Sequence, residues 1–445
     1  MQSVSQQWWR RTSAGAGSAT LTSLAEHSAP RGSPTAFAAL MAFVVVSLLA
    51  PPPLAALHLA LLTTIVATVA LFVNRLVSRR RFATWAPETW VAASLAGWAI
   101  TTVAFSYWPG GSLAFLLDTY FKTLAAFWLV GAIVDTRARF RFVAWTLSLA
   151  AVPPAVIGVR NFLAGVFIIE GRSVKRIVGS EGLFYENAND LALLLNLILP
   201  LTVALLLMER GRLVRLLLAG IVLVDVLAVI LTFSRAGFLT MATTFGLYCW
   251  RLSRRAERGW AVIAIVLALA ALPLLPPGYI DRINTITSSE TDPTGSAQLR
   301  WADTFAAVSF VLAHPIVGAG VGMDVLVLNE ERGPLSLAVH NVYLQVAVDL
   351  GLPGLLLFLM LLLGTIRGVR IVRRGAAGDP VFRDFFHLAE GLEISLIGFA
   401  VAALFYPVAY HFHFYQFAGL GVAIQAISRK PEPRILPEQE AQRHA

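Results

Sequence analysis

The sequence has one cysteine, Cys249, and little charge, since only 14% of its 445 residues are Asp, Glu, Lys or Arg. A single cysteine excludes a disulfide bond within the chain. The low charge, together with 57% hydrophobic residues, excludes an ordinary soluble protein of this length and indicates a membrane protein. An Asp-x-Asp pair, a phosphate-binding glycine loop and a dinucleotide fingerprint are also missing from the sequence. Any transfer reaction must then use a substrate that arrives already activated.

Apolar runs long enough to cross a bilayer follow one another along the chain. They predict an all-α membrane protein with about twelve transmembrane helices. The predicted spans lie near residues 35–50, 54–74, 85–106, 113–133, 142–159, 189–208, 216–233, 236–250, 260–275, 353–366, 388–405 and 414–428.

The distribution of positive charge predicts the orientation of these spans. Most of the 35 lysines and arginines lie on alternate connecting segments, and cytoplasmic segments of membrane proteins carry such an excess. Both termini are therefore expected in the cytoplasm, and the charge gives no reason to expect a nucleic-acid partner. The predicted parts are a cytoplasmic tail (1–34), spans one to nine (35–275), a large periplasmic loop with short amphipathic helices (276–352), the last three spans (353–428) and a second cytoplasmic tail (429–445).

A minority of basic residues falls on the predicted periplasmic face, where orientation does not explain them. They are Arg160, Arg172, Lys175, Arg176, Arg235, Arg282, Arg300 and Arg332.

Arg235 is the first candidate site residue. It follows Ser234, a favourable N-cap, so the helix beginning here is expected to direct free N–H groups and its positive dipole end to the periplasm. That arrangement is an anion site, and Gly237 is expected to let a ligand approach closely. Two structural alternatives are an ion pair of Arg235 and a side chain that extends to the lipid headgroups.

Arg300 is the second candidate, near the start of an amphipathic run (296–323) that contains a tight turn, HPIVGAG. Several guanidinium groups can grip a pyrophosphate through paired hydrogen bonds without a metal. Additional candidates for binding the pyrophosphate or the glycan are Arg160, Lys175, Arg176 and Asn189. For Asn189, at the start of a predicted span, helix capping is the more common role of an amide.

The segment 333–354 is predicted to form a helix that begins after Gly333 and Pro334 and stops at Gly351, and it is too polar to cross the membrane. On this helix His340 is a candidate base, because an imidazole keeps a free-base form near neutral pH. Asn341 and Gln345 are candidate glycan-binding residues. Alternatively, the helix only lies at the membrane edge with a hydrated histidine.

In their order along the chain, these motifs resemble those of one superfamily, the O-antigen ligases, O-antigen polymerases and protein O-oligosaccharyltransferases. The resemblance covers roughly residues 170–370. It rests on SRAG at 234–237, Arg300-Trp301 followed by HPIVGAG at 314–320, HNVYLQ at 340–345 and GLPG at 351–354. GLFYENANDLA at 182–192 is similar to a Gly-aromatic-Asn element of the superfamily, with Ala188 where proline is usual.

The resemblance implies a GT-C-like glycosyltransferase of the bacterial inner membrane that needs no metal or cofactor. It implies transfer of a preassembled glycan, with inversion, from undecaprenyl pyrophosphate to an acceptor, among membrane lipids on the periplasmic side. A compact chain with one large loop favours an O-antigen ligase, whose acceptor is a hydroxyl of the lipid A core oligosaccharide. Arg235 and Arg300 are expected to hold the leaving pyrophosphate, and His340 to handle the proton of the acceptor hydroxyl.

Two other functions stay open at this point. A polymerase or a protein O-oligosaccharyltransferase of the same superfamily differs only in its acceptor. A transporter of lipid-linked oligosaccharides is a different class, and such proteins tend to have repeated halves. The polar residues of this chain instead gather in one loop on one side.

Overall fold

The computed structural model describes residues 32–49, 59–77, 86–170, 174–177, 187–284, 296–332 and 339–429. Within these residues the regular elements are helices and one antiparallel β-hairpin. The helices are α1 (Pro34–Leu49), α2 (Leu59–Val77), α3 (Pro87–Val103), α4 (Pro109–Ile133), α5 (Arg137–Leu163), α6 (Ala188–Met208), α7 (Arg212–Leu231), α8 (Arg235–Ser253), α9 (Arg258–Ala271), α10 (Tyr279–Asn284), α11 (Ser296–Ala313), α12 (Asp324–Arg332), α13 (Val342–Gly375), α14 (Arg383–Ala402) and α15 (Phe412–Ser428). The hairpin pairs β1 (Phe167–Glu170) with β2 (Val174–Ile177).

Each predicted apolar segment overlaps one of these helices, so the all-helical membrane class is confirmed. Six helices are long and apolar enough to cross a bilayer: α4, α5, α6, α7, α13, and α14 with the short turn before it. Shorter apolar helices include α1, α2 and the segment containing α9. That all twelve predicted segments cross the membrane stays a prediction.

The helix α6 lies at the centre of the bundle, buried along almost its whole length between α5, α7, α8 and α14. Its contact with α14 is close because Gly391 has no side chain, and a Cβ there would lie 2.7 Å from the carbonyl oxygen of Pro200. Ser395 of α14 also donates a 2.7 Å hydrogen bond to the Leu197 carbonyl. Small and hydroxyl residues at helix contacts are typical of bundles in membranes.

A buried ion-pair network ties α8, α13 and α14 together at one end of the bundle. Its carboxylates, Glu390 and Glu393, are fully buried on α14, and Arg255 holds both oxygens of Glu390 at 2.6 and 2.8 Å. The other cations are Arg251 on α8 and Arg370 and Arg373 on α13. Pairing of this kind compensates charges that would be costly to bury alone.

The helix predicted at 333–354 is wrong at both ends. Residues 333–338 lie outside the described part of the chain, and α13 begins only at Val342, because the side chain of Asn341 accepts hydrogen bonds from the N–H groups of Tyr343 and Leu344 and caps the helix. His340 therefore precedes the helix. At Gly351 the chain bends through φ 67° and resumes as a helix instead of stopping.

The HPIVGAG turn after α11 is bonded to this bend in α13. The Ala319 N–H donates to the Val348 carbonyl at 2.7 Å, and the Leu352 N–H donates to the Pro315 carbonyl at 2.8 Å. Gly318, at φ 71°, lies against the α13 backbone where a Cβ would collide with the Val348 oxygen. The motif thus fixes α11 relative to α13, and with them the residues that each helix carries.

Candidate functional site

The candidate site lies at the end of the bundle opposite the ion-pair network, where α6, α8 and α13 begin and α7 and α14 end. Two contacts bring these ends together. The Val342 N–H donates a 2.7 Å hydrogen bond to the Ala403 carbonyl, and the Ser234 and Tyr406 hydroxyls lie 3.3 Å apart. The segment 403–411 after α14 thereby covers the starts of α8 and α13.

The turn between α7 and α8 has a strained backbone. Phe233 adopts φ 49°, a left-handed conformation that is uncommon for a bulky residue, and its ring packs edge-on against Tyr279. The next residue, Ser234, caps α8 by accepting a 3.1 Å hydrogen bond from the Gly237 N–H, as predicted. Arg235 is therefore the first residue of α8, at the positive end of its dipole.

Gly237 has a different role from the one expected. It lies against α6, where a Cβ would approach that of Ala192 to 2.8 Å. The side-chain amide of Asn196, also on α6, donates to the carbonyls of Ala192 at 2.8 Å and Gly237 at 3.0 Å. The glycine therefore permits helix packing, and the close approach of a ligand to it stays a prediction.

Arg176 is a buried residue of β2, in the β-hairpin. Its Nε donates to the Thr232 carbonyl and its Nη2 to the Asn189 Oδ1, each at 2.7 Å. Asn187 is the N-cap of α6, accepting from the Asn189 N–H at 2.9 Å. Asn189 thus orients a guanidinium and is not a helix cap.

Arg300 interacts electrostatically with three other guanidinium groups. Burial lowers the pKa of Arg300, the positive charge of Arg235 lowers it further, and Arg176 and Arg282 add smaller effects in the same direction. We refer to these four residues as the arginine cluster. Arg282 is buried on α10, and the sequence indicated only that it lies on the same face. Like charges repel in such surroundings, so the cluster favours a multiply charged anion.

Tyr406 is a residue of this site that the sequence did not predict. Burial raises its pKa to about 12, and its hydroxyl interacts electrostatically with Asp190, Arg176 and Arg300. A tyrosine in a short hairpin rich in aromatic residues resembles an interfacial anchor, so the sequence gave no reason to single it out. In the structure it places a neutral hydroxyl beside the arginine cluster.

His340 lies beside a buried carboxylate. Its Nδ1 is 3.8 Å from the Oδ2 of Asp303, which is 2% exposed and follows Arg300 by three residues on α11. Nδ1 is closed to solvent, whereas the His340 side chain as a whole is 29% exposed. Its charge also interacts with that of Asp190 on α6. The helix α11 therefore carries both a member of the arginine cluster and a neighbour of His340.

These elements, α7 to α13, are where the chain matches a known family. Residues 218–359 match the family model of O-antigen ligase. This segment of the chain is similar to the O-antigen ligases. This match confirms the resemblance on the segment that contains Arg235, Arg300 and His340, and it supports a function of the O-antigen ligase or polymerase type.

Other comparisons are distant. A chain from a solved peptidoglycan synthase complex is similar over 78% of this chain and 98% of that chain, with 16% identity and a TM-score of 0.40. Among curated proteins, no sequence matches.

The remaining predicted residues lie outside the matched segment or support its backbone. The amide oxygen of Asn341 caps α13, and Gln345 Oε1 accepts a 3.1 Å hydrogen bond from the N–H of residue 409, so both side chains support the backbone. Arg160 is exposed near the end of α5, the end at which Phe162 stacks on Phe233. The backbone of Lys175 lies in β2, and its side chain is outside the described structure.

Proposed function

We propose that this protein is an O-antigen ligase, which transfers a preassembled glycan from undecaprenyl pyrophosphate to a hydroxyl of the lipid A core oligosaccharide. The reaction takes place on the periplasmic side of the bacterial inner membrane. The observation that carries the proposal is the arginine cluster beside His340, inside the segment that matches the O-antigen ligase family.

The arginine cluster receives the pyrophosphate of the donor. When the glycosyl bond breaks, negative charge develops on the departing pyrophosphate, and fixed positive groups stabilise it. Guanidinium groups suit this task because their planar forks pair with phosphate oxygens. Arg176 is held in place by Thr232 and Asn189, and Arg235 adds its charge at the positive end of α8. The proposed reaction therefore needs no metal or nucleotide.

His340 serves the acceptor. Its imidazole accepts the proton of the acceptor hydroxyl while the oxygen attacks the anomeric carbon from the face opposite the pyrophosphate. The attack inverts the configuration at that carbon. Supporting this division of roles, His340 lies beside Asp303 and Asp190, whereas Arg300 lies beside other arginines.

The acceptor distinguishes the ligase from the other members of the superfamily. We propose to reconstitute the full-length protein in proteoliposomes with undecaprenyl-pyrophosphate-linked labelled glycan, and to add lipid A core, a second lipid-linked glycan or a hydroxyl-bearing protein. The expected product is labelled lipid A core with an inverted linkage, formed equally in the presence of a chelator. Growth of the lipid-linked glycan alone would identify a polymerase, and a requirement for metal would contradict the mechanism.

The proposed orientation has its own test. In a variant in which Cys249 is replaced by serine, a cysteine introduced at position 340 should react with an impermeant thiol reagent added to cells with a permeabilised outer membrane. A cysteine at position 367, exposed near the other end of α13, is the matched control and should react only after the inner membrane is broken. The opposite labelling pattern would place the site in the cytoplasm.

A further inference from the structure

We propose that Asp303 is a positioning residue that holds the imidazole of His340 with its Nδ1 protonated, so that Nε2 is the nitrogen that takes the proton of the acceptor. This inference rests on the proposed function and adds a second residue to its acceptor half. Neither the sequence motifs nor the family match singles out Asp303.

The geometry around His340 distinguishes its two ring nitrogens. Nδ1 is closed to solvent and faces Asp303, while the rest of the partly exposed side chain remains open to a ligand. Only Nε2 is then available to a hydroxyl that arrives from outside. A proton on Nδ1, directed at the carboxylate, keeps Nε2 free as an acceptor.

The Asp303 carboxylate is well placed for this role because it is buried and held by a rigid element. It is 2% exposed, and α11 is fixed to α13 by the hydrogen bonds between the HPIVGAG turn and the bend at Gly351. His340 stands just before α13, whose start is fixed by the Asn341 cap and by the hydrogen bond from Val342 to Ala403. Both partners are thus positioned by backbone contacts outside the pair.

The distance between Nδ1 and Oδ2, 3.8 Å, is that of an ion pair and exceeds a hydrogen bond. Catalytic hydrogen bonds are often long in the absence of substrate and shorten in the complex with it. We infer that binding of the acceptor hydroxyl at Nε2 closes the Asp303–His340 distance to a hydrogen bond.

The proton and electron balance of the step is complete. The hydroxyl O–H bond breaks and its proton moves to Nε2, while an oxygen lone pair forms the bond to the anomeric carbon. The bond from that carbon to the pyrophosphate oxygen breaks, and its electron pair leaves with the pyrophosphate. His340 becomes an imidazolium whose charge faces Asp303, as in hydrolases where a carboxylate orients a histidine and stabilises its charged form. Asp190 is a second carboxylate whose charge acts on His340.

Asp303→Asn and Asp303→Glu test the proposal in the full-length protein, reconstituted with lipid-linked glycan and lipid A core. For Asp303→Asn, which can hold the imidazole in the wrong tautomer, kcat is expected to fall by about 10²- to 10⁴-fold with a small change in KM for the donor. Asp303→Glu keeps the charge and should recover part of this loss. The matched control is Asp281→Asn, which removes an exposed carboxylate next to Arg282 and should retain wild-type activity.

The pH profile separates positioning from a purely structural role. Without the carboxylate the imidazolium is less favoured, so the acidic limb of kcat/KM should move to lower pH in Asp303→Asn and stay in place in Asp303→Glu. A general loss of folding would lower the whole profile without moving the limb. If Asp303→Asn is poorly folded, Asp303→Glu still tests the proposal. Partial activity with the acidic limb in its wild-type position supports it, and an Asp303→Glu variant as inactive as His340→Ala contradicts it.

A double-mutant cycle distinguishes this inference from the proposed function. In a His340→Ala background, Asp303→Asn should cost nothing further, because a positioning residue acts only through its partner. Additive losses would overturn the role of Asp303 while leaving the role of His340 intact. Full activity of His340→Ala itself would instead overturn the proposed function.

Discussion

Arg176 donates a 2.7 Å hydrogen bond from Nη2 to the side-chain oxygen of Asn189, so the guanidinium of a loop hairpin is fixed to the first turn of the central helix. The Nε of the same group binds the Thr232 carbonyl, next to the strained Phe233. One side chain thus connects the hairpin, α6 and the turn that presents Arg235.

Replacing Asn189 by alanine should weaken donor binding, because Arg176 loses the partner that orients it. Hydrogen bonds to charged groups contribute about 1.5–3 kcal/mol, so we expect the donor KM to rise about tenfold or more. Asn189→Asp should weaken binding further, since a carboxylate neutralises Arg176. The measurement is the donor dependence of the transfer rate. Asn187→Ser, which keeps an N-cap residue, is the control, and an equal effect there would refute the special role of Asn189.

The transfer rate should depend on both the charge and the shape of the Arg300 side chain. Arg300→Ala is expected to reduce kcat by about 10²- to 10³-fold, the usual cost of removing one group that stabilises developing charge. Arg300→Lys should recover only part of the rate, because an ammonium lacks the fork that pairs with two phosphate oxygens. Initial rates at saturating donor check this, with Arg367→Lys, an exposed site near the other end of the bundle, as control. Full activity of Arg300→Lys would mean that charge alone suffices.

Gly351 should tolerate no side chain. Its backbone, at φ 67° and ψ −173°, lies in a region adopted almost only by glycine, and a Cβ there would overlap the Ile316 carbonyl oxygen. Gly351→Ala should destabilise the fold by about 2 kcal/mol or more, detected as a lower midpoint of thermal unfolding in detergent. Gly246→Ala, in the interior of α8 with nothing within 4 Å of the added methyl, should raise stability by about 0.5–1 kcal/mol. Equal unfolding midpoints for the two variants would contradict the role of the Gly351 bend in fixing α11 relative to α13.

Glu393 should be among the most sensitive residues away from the site. It is fully buried, accepts a 2.6 Å hydrogen bond from Arg373 and lies 3.0 Å from Arg251, so Glu393→Gln removes the compensating charge of two largely buried arginines. We expect a loss of about 3–5 kcal/mol in unfolding free energy. Asp118→Asn breaks an exposed ion pair with Lys122 and should cost less than about 1 kcal/mol. Similar losses in both variants would argue against the buried network as a stabilising element.

Much of the fold was predictable because apolar runs report membrane helices directly. The cap of α8 at Ser234 was also predictable, since the signal is local: a hydroxyl residue just before a helix. The start of α13 was not, because Gly333 and Pro334 gave a start signal well before Asn341, the residue that caps the helix.

The site could be predicted only where a charge stood out against its surroundings. Arg235 and Arg300 were visible as cations on the face where topology does not call for them, and His340 as an ionisable group in a polar stretch. Asp303 and Tyr406 become recognisable only when α11 and the segment 403–411 fold onto the same end of the bundle. The packing role of Gly237 was not predicted, because a glycine near a helix start permits close approach equally to a ligand or to another helix.

The central claim is that the arginine cluster and His340 act together on one glycosyl transfer. It is tested most directly by single-turnover transfer of labelled glycan from undecaprenyl pyrophosphate to lipid A core in proteoliposomes, comparing the wild type with His340→Ala and Arg300→Ala. We predict that the wild type forms labelled lipid A core, that His340→Ala binds the donor normally and forms product about 10²- to 10⁴-fold more slowly, and that Arg300→Ala loses both donor affinity and rate. Wild-type rates in both variants would contradict the account.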